Sequence, residues 1–275
     1  MKKFEGLLFC SDLDGTLFTD DKSLSEENRA AIEYFKSEGG LFTFITGRVP
    51  LTCGKICSMV NPNAPYGCVN GGGIYDHVEN RFLWRIFLPD KVFELIRAVD
   101  TALPSVGIQV NTEDSVYFCK DSISLQRFRR VTGLPNNYRP LESVTDPILK
   151  IIFSHHEEEQ LNAVKDLLNA HPLAEEFDFI RSEKSLYEIL PKGASKGSLL
   201  LKMSEILKID PKKTVAIGDY YNDVSMIKAA GFGIAVANAV DAAKAVADYV
   251  TVTNNESAIA KIIEGLDSGK IKLPI

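Results

Sequence analysis

The sequence predicts an α/β protein, with a parallel sheet wrapped by helices and interrupted by a separate α+β module. Three observations carry this expectation. Short apolar runs alternate with stretches of helical period over roughly the first 70 residues, in the order β-α-β-α-β, which favours parallel strands joined by crossover helices. The pattern changes after Gly71, Gly72 and Gly73 to strands that read as pairs, mixed with helices. From Ser195 onward the first pattern returns, so the sheet domain is expected to be discontinuous. The expected division is residues 1–84 and 190–275 for the sheet domain and 85–189 for the insert.

Taken in order, Leu7, Leu8, Phe9 and Cys10 form an apolar run of strand length. Ser25 followed by Glu26 and Glu27 reads as a capped helix start, and the periodic stretch runs to about Phe35 before Gly39 and Gly40 end it. Leu41 to Ile45 is a second strand. Val49 to Val60 reads as a helix, since Pro50 suits a first turn. Gly67 to Asn70 reads as a third strand. In the insert, an alternating region through Trp84 to Leu88 reads as a hairpin or paired strands. A helix over about 91–102, strands over 106–110, 115–119 and 149–153, a helix over 157–170 and a strand pair over 177–181 and 186–190 follow. The returning sheet domain holds a helix from Ser195 to about Leu207, a strand at 214–217, a helix near 224–230 and a strand at 233–236. Residues 265–275 read as a loose tail.

Composition narrows the function classes. With 275 residues, 45% hydrophobic, and a mean hydropathy of −0.02, the chain can bury a sizeable core. A net charge of −6 and a pI near 5.4 offer no general attraction to nucleic acid or an anionic membrane, so any phosphate binding must be local and the partner small. Lys2 and Lys3 precede an apolar run that Ser11 and Asp12 cut short, far from a signal-peptide core or a spanning helix, so cytoplasmic residence is expected. Five cysteines, odd in number and without paired CxxC spacing, argue against a disulfide framework and a zinc site. His155 and His156 are expected on opposite faces of a strand, unsuited to a joint metal role. Gly231 to Gly233 lacks the complete spacing of a dinucleotide fingerprint.

The chemistry concentrates in four segments. Asp12 and Asp14, spaced i, i+2 at the end of the first strand, are expected to project to the same side and share one divalent cation or phosphoryl group. Two such anions repel unless a cation or donors compensate them, which asks for a hard metal such as Mg2+. We read Asp12 as nucleophile and Asp14 as proton donor and acceptor, with Gly15 allowing a tight turn and Thr16 adding a hydroxyl. Thr46 and Gly47 follow the second strand and offer a hydroxyl and backbone N–H groups to phosphate oxygens. Lys196, between Gly193 and Gly197, supplies a point charge for a phosphoryl oxygen that also keeps nearby carboxylates ionised. In the run from Gly218 to Asp223, Asp219 can complete a metal shell, Asn222 can donate to phosphate and Asp223 can orient its neighbours. Each segment also has a plain reading: turn chemistry, helix capping or a solvated lysine. Arg127, Arg129 and Arg130 read as an anion patch or, more simply, a solvated helix face.

The run Asp12 to Thr16, the apolar segment ending in Thr46–Gly47–Arg48, Lys196 and the run Gly218 to Asp223, in that order, resemble the haloacid dehalogenase-like (HAD) phosphohydrolases. The long insert after Asn70, Gly71 and Gly72 resembles the Cof-like branch, mostly phosphatases of sugar phosphates or related esters. The resemblance implies a Rossmann-like parallel-sheet core with an inserted α+β cap that closes over it. It implies Mg2+ held by Asp12, the backbone carbonyl of Asp14, and Asp219, with Asp223 supporting that shell indirectly. Phosphate is then gripped by the backbone near Leu13, by Thr46 and Gly47, by Lys196 and by Asn222. Asp12 attacks phosphorus to give an aspartyl-phosphate, while Asp14 protonates the leaving oxygen and later activates water. The implied function is hydrolysis of small phosphorylated metabolites by a monomer or weak homo-oligomer. A sugar phosphomutase and a phosphometabolite sensor without turnover are the alternatives. Tyr220 and Tyr221 depart from the pattern, since relatives often carry small residues there, and they bear on leaving-group preference.

Overall fold

The computed structural model describes residues 2–274. In chain order these form β1 (Leu8–Ser11), α1 (Glu26–Ser37), β2 (Leu41–Phe44), α2 (Gly54–Val60), β3 (Tyr66–Cys68), β4 (Gly73–Asp76) and β5 (Arg81–Arg85). Next come α3 (Val92–Ala102), β6 (Gly107–Thr112), β7 (Val116–Lys120), α4 (Ile123–Thr132), β8 (Ile148–Ser154), α5 (Glu158–Ala170), β9 (Phe177–Glu183) and β10 (Leu186–Pro191). The chain closes with α6 (Lys196–Leu207), β11 (Thr214–Gly218), α7 (Val224–Ala229), β12 (Phe232–Ala235), α8 (Asp241–Lys244), β13 (Tyr249–Val250) and α9 (Ala258–Asp267). Among the described residues two compact units result: residues 2–47, 54–84 and 195–274, and residues 48–53 with 85–194. The first unit is discontinuous in sequence, and its return at Ser195 lies beyond the expected position 190, which falls inside β10.

The first unit is built on a parallel sheet of order β13-β12-β11-β1-β2. Its centre reads as a continuous apolar run because helices cover both faces: Leu8, Phe9 and Cys10 of β1 and Val215, Ala216 and Ile217 of β11 are fully buried. Burying each such large side chain is worth about 1.5–3 kcal/mol. Ser25 caps α1 as expected, its Oγ accepting from the Asn28 N–H, and Ser195 caps α6 with Ser198 in a reciprocal pair.

Three local expectations need correction here. The third strand does not extend the parallel sheet: β3 pairs antiparallel with β4 in a three-stranded sheet β3-β4-β5, and only a bridge from Ile45 to Gly67 runs parallel to it. The helix expected over Val49–Val60 is a 3-10 turn at Pro50–Thr52 followed by α2. The Cys53 N–H bonds the Pro50 carbonyl in a tight i to i−3 turn just where Gly54, a poor helix former, follows. The expected tail from Gly265 begins inside α9, whose apolar positions Ala258, Ile259, Ile262 and Ile263 are buried at helical spacing. Ile275, the end of that expectation, lies outside the described residues.

The second unit is an antiparallel sheet of order β7-β6-β8-β10-β9, so the expected α+β content is present. Alternate residues on one face, among them Val110, Ile151, Phe153 and Ile189, pack with Leu95, Ile96 and Val99 of α3 and Leu161, Val164 and Leu168 of α5. Arg127 and Arg130 are exposed, as a solvated helix face requires, but Arg129 departs from both readings of the cluster. Its guanidinium is 7% exposed, bonds both oxygens of Asp121 at 2.9 Å and lies 4.4 Å from the Phe118 ring, so it is a core strut. His155 and His156 follow the end of β8 rather than continuing it. Strand alternation no longer applies, and their rings stack with centroids 4.5 Å apart. Among the described residues, no helix is long and apolar enough to cross a membrane.

Candidate active site

Three neighbouring strands end at the same edge of the parallel sheet, where open α/β sheets bind ligands. β1 delivers Asp12, whose backbone N–H bonds the Ile217 carbonyl at 2.9 Å; β2 delivers Thr46 and Gly47; β11 delivers Asp219. The start of α6 supplies Lys196. Its ammonium is fully buried and lies 2.5 Å from both Asp12 Oδ1 and Asp223 Oδ1. Asp223 Oδ2 accepts the backbone N–H groups of Asp219 at 3.0 Å and Tyr220 at 2.9 Å, so this carboxylate ties the lysine to the loop after β11. Thr16 Oγ1 donates to Asp219 Oδ1 at 2.8 Å. Asp12, Asp219 and Asp223 each offer one oxygen within a group no wider than 4.8 Å.

A family profile described as haloacid dehalogenase-like hydrolase matches residues 9–263, and every residue of this cluster falls inside it. The chain belongs to that family. This hydrolase is similar to a Bacillus subtilis 5-amino-6-(5-phospho-D-ribitylamino)uracil phosphatase, YcsE, at 28% identity over 93% of this chain and 94% of the relative. It is also similar to the B. subtilis phosphatase YwpJ, at 25% identity over 94% and 99%. Among solved structures, a haloacid dehalogenase-like hydrolase from Bacteroides thetaiotaomicron superposes with a TM-score of 0.81 at 26% identity, over 94% of this chain and 98% of that one.

In this hydrolase the three carboxylates grouped within 4.8 Å are those of Asp12, Asp219 and Asp223, and the Asp14 side chain is not among them. β1 ends at Ser11 and the chain turns at once, so the i, i+2 alternation of a strand does not reach Asp14. The Asp14 carboxylate instead bonds the Lys22 ammonium at 2.9 Å, and Asp223 takes the third place in the acidic group. Gly15, at φ +91°, makes the turn possible. A Cβ there would stand 2.6 Å from Asp219 Oδ2, so only glycine lets the two strand ends approach.

The electrostatics fit a divalent cation. Three carboxylates against one ammonium leave two negative charges when all are ionised, and all donors are hard oxygens of the kind Mg2+ selects. Burial, then the Asp223 charge, push Asp12 well above the usual carboxylate range and Asp219 up to about 7. Burial alone would lower the Lys196 pKa, but the Asp12 and Asp223 charges outweigh it and raise the value, so the lysine stays charged. Asp12 and Asp219 are the side chains of this group whose oxygens could hold the ion, since Asp223 Oδ1 accepts from Lys196 and Asp223 Oδ2 from two backbone N–H groups.

The remaining expected residues have the following surroundings. Thr46 is buried, its N–H bonding the Gly67 carbonyl at 3.0 Å and its carbonyl accepting from the Asn70 N–H at 3.1 Å. The Leu13 side chain is fully buried, so the backbone is what residue 13 offers the site. Asn222 Nδ2 donates to Asn70 Oδ1 at 3.0 Å. Tyr220 and Tyr221 stack edge to face at 5.0 Å, with Tyr221 48% exposed. Asn70 was legible only as a boundary before the insert. The signal that could have singled it out is an Asn-Gly pair at a strand end, where Asn tolerates left-handed backbone.

Proposed function

We propose that this hydrolase is a Mg2+-dependent phosphatase of small phosphorylated metabolites, sugar phosphates or related phosphoesters, acting through an aspartyl-phosphate on Asp12. The observation that carries this reading is the buried ammonium of Lys196 between Asp12 and Asp223. The buried ammonium fixes the Asp12 carboxylate in place, and its charge and hydrogen bond oppose the burial that raises the Asp12 pKa, so they favour the anionic form that a nucleophile requires.

One Asp12 oxygen forms a bond to phosphorus as the bond from phosphorus to the ester oxygen breaks. Asp14 gives that oxygen its proton. Asp14 then takes a proton from water, whose oxygen attacks the aspartyl-phosphate and releases phosphate and the Asp12 carboxylate. Phosphoryl transfer asks the protein for positioning and charge neutralisation. The N–H groups near Leu13 and Gly47, the Thr46 hydroxyl, Asn222 and Lys196 supply donors of that kind. When bound by Asp12, the Asp14 carbonyl and Asp219, Mg2+ supplies charge neutralisation at the phosphoryl oxygens. Asp223 holds Lys196 and the Asp219 backbone. The inserted unit is assigned to substrate selection, with residues 85–189 as its expected extent. The named phosphatases among the relatives, one acting on a phosphoribitylamino compound, support phosphomonoesters of polyols or sugars as substrates.

The test is phosphate release from a panel of sugar and polyol phosphates, with Mg2+ or EDTA, for the native protein and Asp12→Asn. The substitution is expected to cost at least roughly a thousandfold, about 4 kcal/mol of barrier. Metal-dependent turnover retained by Asp12→Asn overturns the nucleophile. Isomerised sugar phosphate without free phosphate would mark a mutase, and tight ligand binding without turnover a sensor.

A further inference from the structure

Val69, Asn70 and Gly71 have φ of +58°, +51° and +113°, three left-handed residues in succession. Such backbone is costly for a β-branched valine and persists only where the surroundings dictate it. Here three surroundings do so. The Asn70 N–H bonds the Thr46 carbonyl at 3.1 Å. Asn70 Oδ1 accepts from Asn222 Nδ2 at 3.0 Å. A Cβ on Gly71 would collide with the backbone of Ser195, the cap of the helix that begins with Lys196. Gly47 lies against the same carboxamide: a Cβ there would stand 2.8 Å from Asn70 Oδ1. Asn70 itself is 1% exposed.

We propose that Asn70 is a positioning residue of the phosphate site. The strained strap holds the Thr46–Gly47 turn, the Asn222 carboxamide and the start of the lysine helix at one fixed spacing. The Asn70 carboxamide occupies one N–H of Asn222 and so orients that side chain, leaving its second N–H for a phosphoryl oxygen. This rests on the phosphate-binding part of the proposed function, and it adds a residue that touches phosphate only through others.

Asn70→Gly deletes the carboxamide while keeping backbone that tolerates left-handed φ. Gly47→Ala leaves Asn70 in place but pushes its carboxamide. The readouts are the dissociation constant of inorganic phosphate measured by calorimetry with Mg2+ present, and kcat and KM for an ester that the native protein hydrolyses. Asn70→Gly is expected to weaken phosphate and raise KM about tenfold, the size of effect known for groups that orient a ligand-binding side chain. In an Asn222→Ala background the same change is expected to cost less than about twofold, because coupled groups are not additive. Gly47→Ala should weaken phosphate in the native background and cost less than about twofold in the Asn222→Ala background, which decides the matter even where Asn70→Gly folds poorly. Equal costs in both backgrounds, or lost kcat with phosphate affinity and KM unchanged, overturn the proposal. Should the native protein bind phosphate but hydrolyse no ester, the phosphatase reading falls and the affinities still decide the role of Asn70.

Discussion

Lys196 Nζ and Asp12 Oδ1 stand 2.5 Å apart although 184 residues separate them in the chain. The contact joins the first strand to the first helix after the insert, and it is fully buried on the lysine side. Removing the lysine therefore strands Asp12 and Asp223 as buried anions. Lys196→Met is expected to abolish turnover and to destabilise the metal-free protein by about 3–5 kcal/mol, the usual cost of breaking a buried pair. Denaturant unfolding in EDTA measures it. Unchanged stability would show that the two carboxylates do not depend on the ammonium.

Asp219 makes stability pH-dependent. Its pKa of about 7 in the folded protein lies far above the 3.8 of an ordinary aspartate, so between those values the native state holds a proton that the unfolded chain has released. Stability in EDTA is therefore expected to fall as pH rises from about 4 through 7, with Asp12, also raised, acting in the same direction. Melting temperatures at pH 5 and pH 8 check this, and Asp219→Asn should reduce the slope. Added Mg2+ should raise the melting temperature more at pH 8 than at pH 5, since cation and proton compete for the same oxygens. A slope unaltered by Asp219→Asn would remove Asp219 as its source.

Gly15 separates two roles that a glycine can play. Alanine there meets both a left-handed φ of +91° and the Asp219 carboxylate. Strain of about 1–3 kcal/mol is expected in stability. A loss of Mg2+ affinity of roughly tenfold or more is expected as well, because the carboxylate must shift. Titration of the metal, followed by melting temperature, distinguishes the outcomes: strain alone would lower stability and leave the affinity intact.

Arg129 supplies a structural contrast. It pairs with Asp121, whose carboxyl the guanidinium holds down at about 2, and it stacks on Phe118 and Tyr138. Arg129→Met is expected to destabilise the inserted unit by about 1.5–3 kcal/mol, the range for hydrogen bonds to a charged group. Below about pH 4 the penalty should shrink, since Asp121 protonates in the native protein only near its lowered value and its ionic contribution is lost there. Denaturant unfolding at pH 7 and pH 3 reads both effects.

The four chemical segments were legible because each is a short run tied to a strand end or helix start. Asp12, Thr46, Asp219 and Lys196 all lie within a residue or two of such an end. What failed were inferences that carried a period past the end of its element. Strand alternation does not reach Asp14 or His156, both beyond the last residue of their strands, and the helical spacing of Ala258, Ile259, Ile262 and Ile263 carries α9 into the expected tail. β3 changed sheets because pairing depends on which edge is available, and a three-residue strand carries no signature of its partner.

By itself the sequence determined the α/β class, the discontinuous sheet unit, and the residue types available for phosphoryl chemistry, because hydrophobic period, caps and charge are local properties of the chain. Tertiary structure alone decided that Asp223 rather than the Asp14 side chain joins Asp12 and Asp219, that Lys196 is stripped of water, and that Asn70 reaches Asn222. The physical reason is that distance, burial and dielectric surroundings belong to pairs of groups brought together across the fold. A linear order of residues does not specify them.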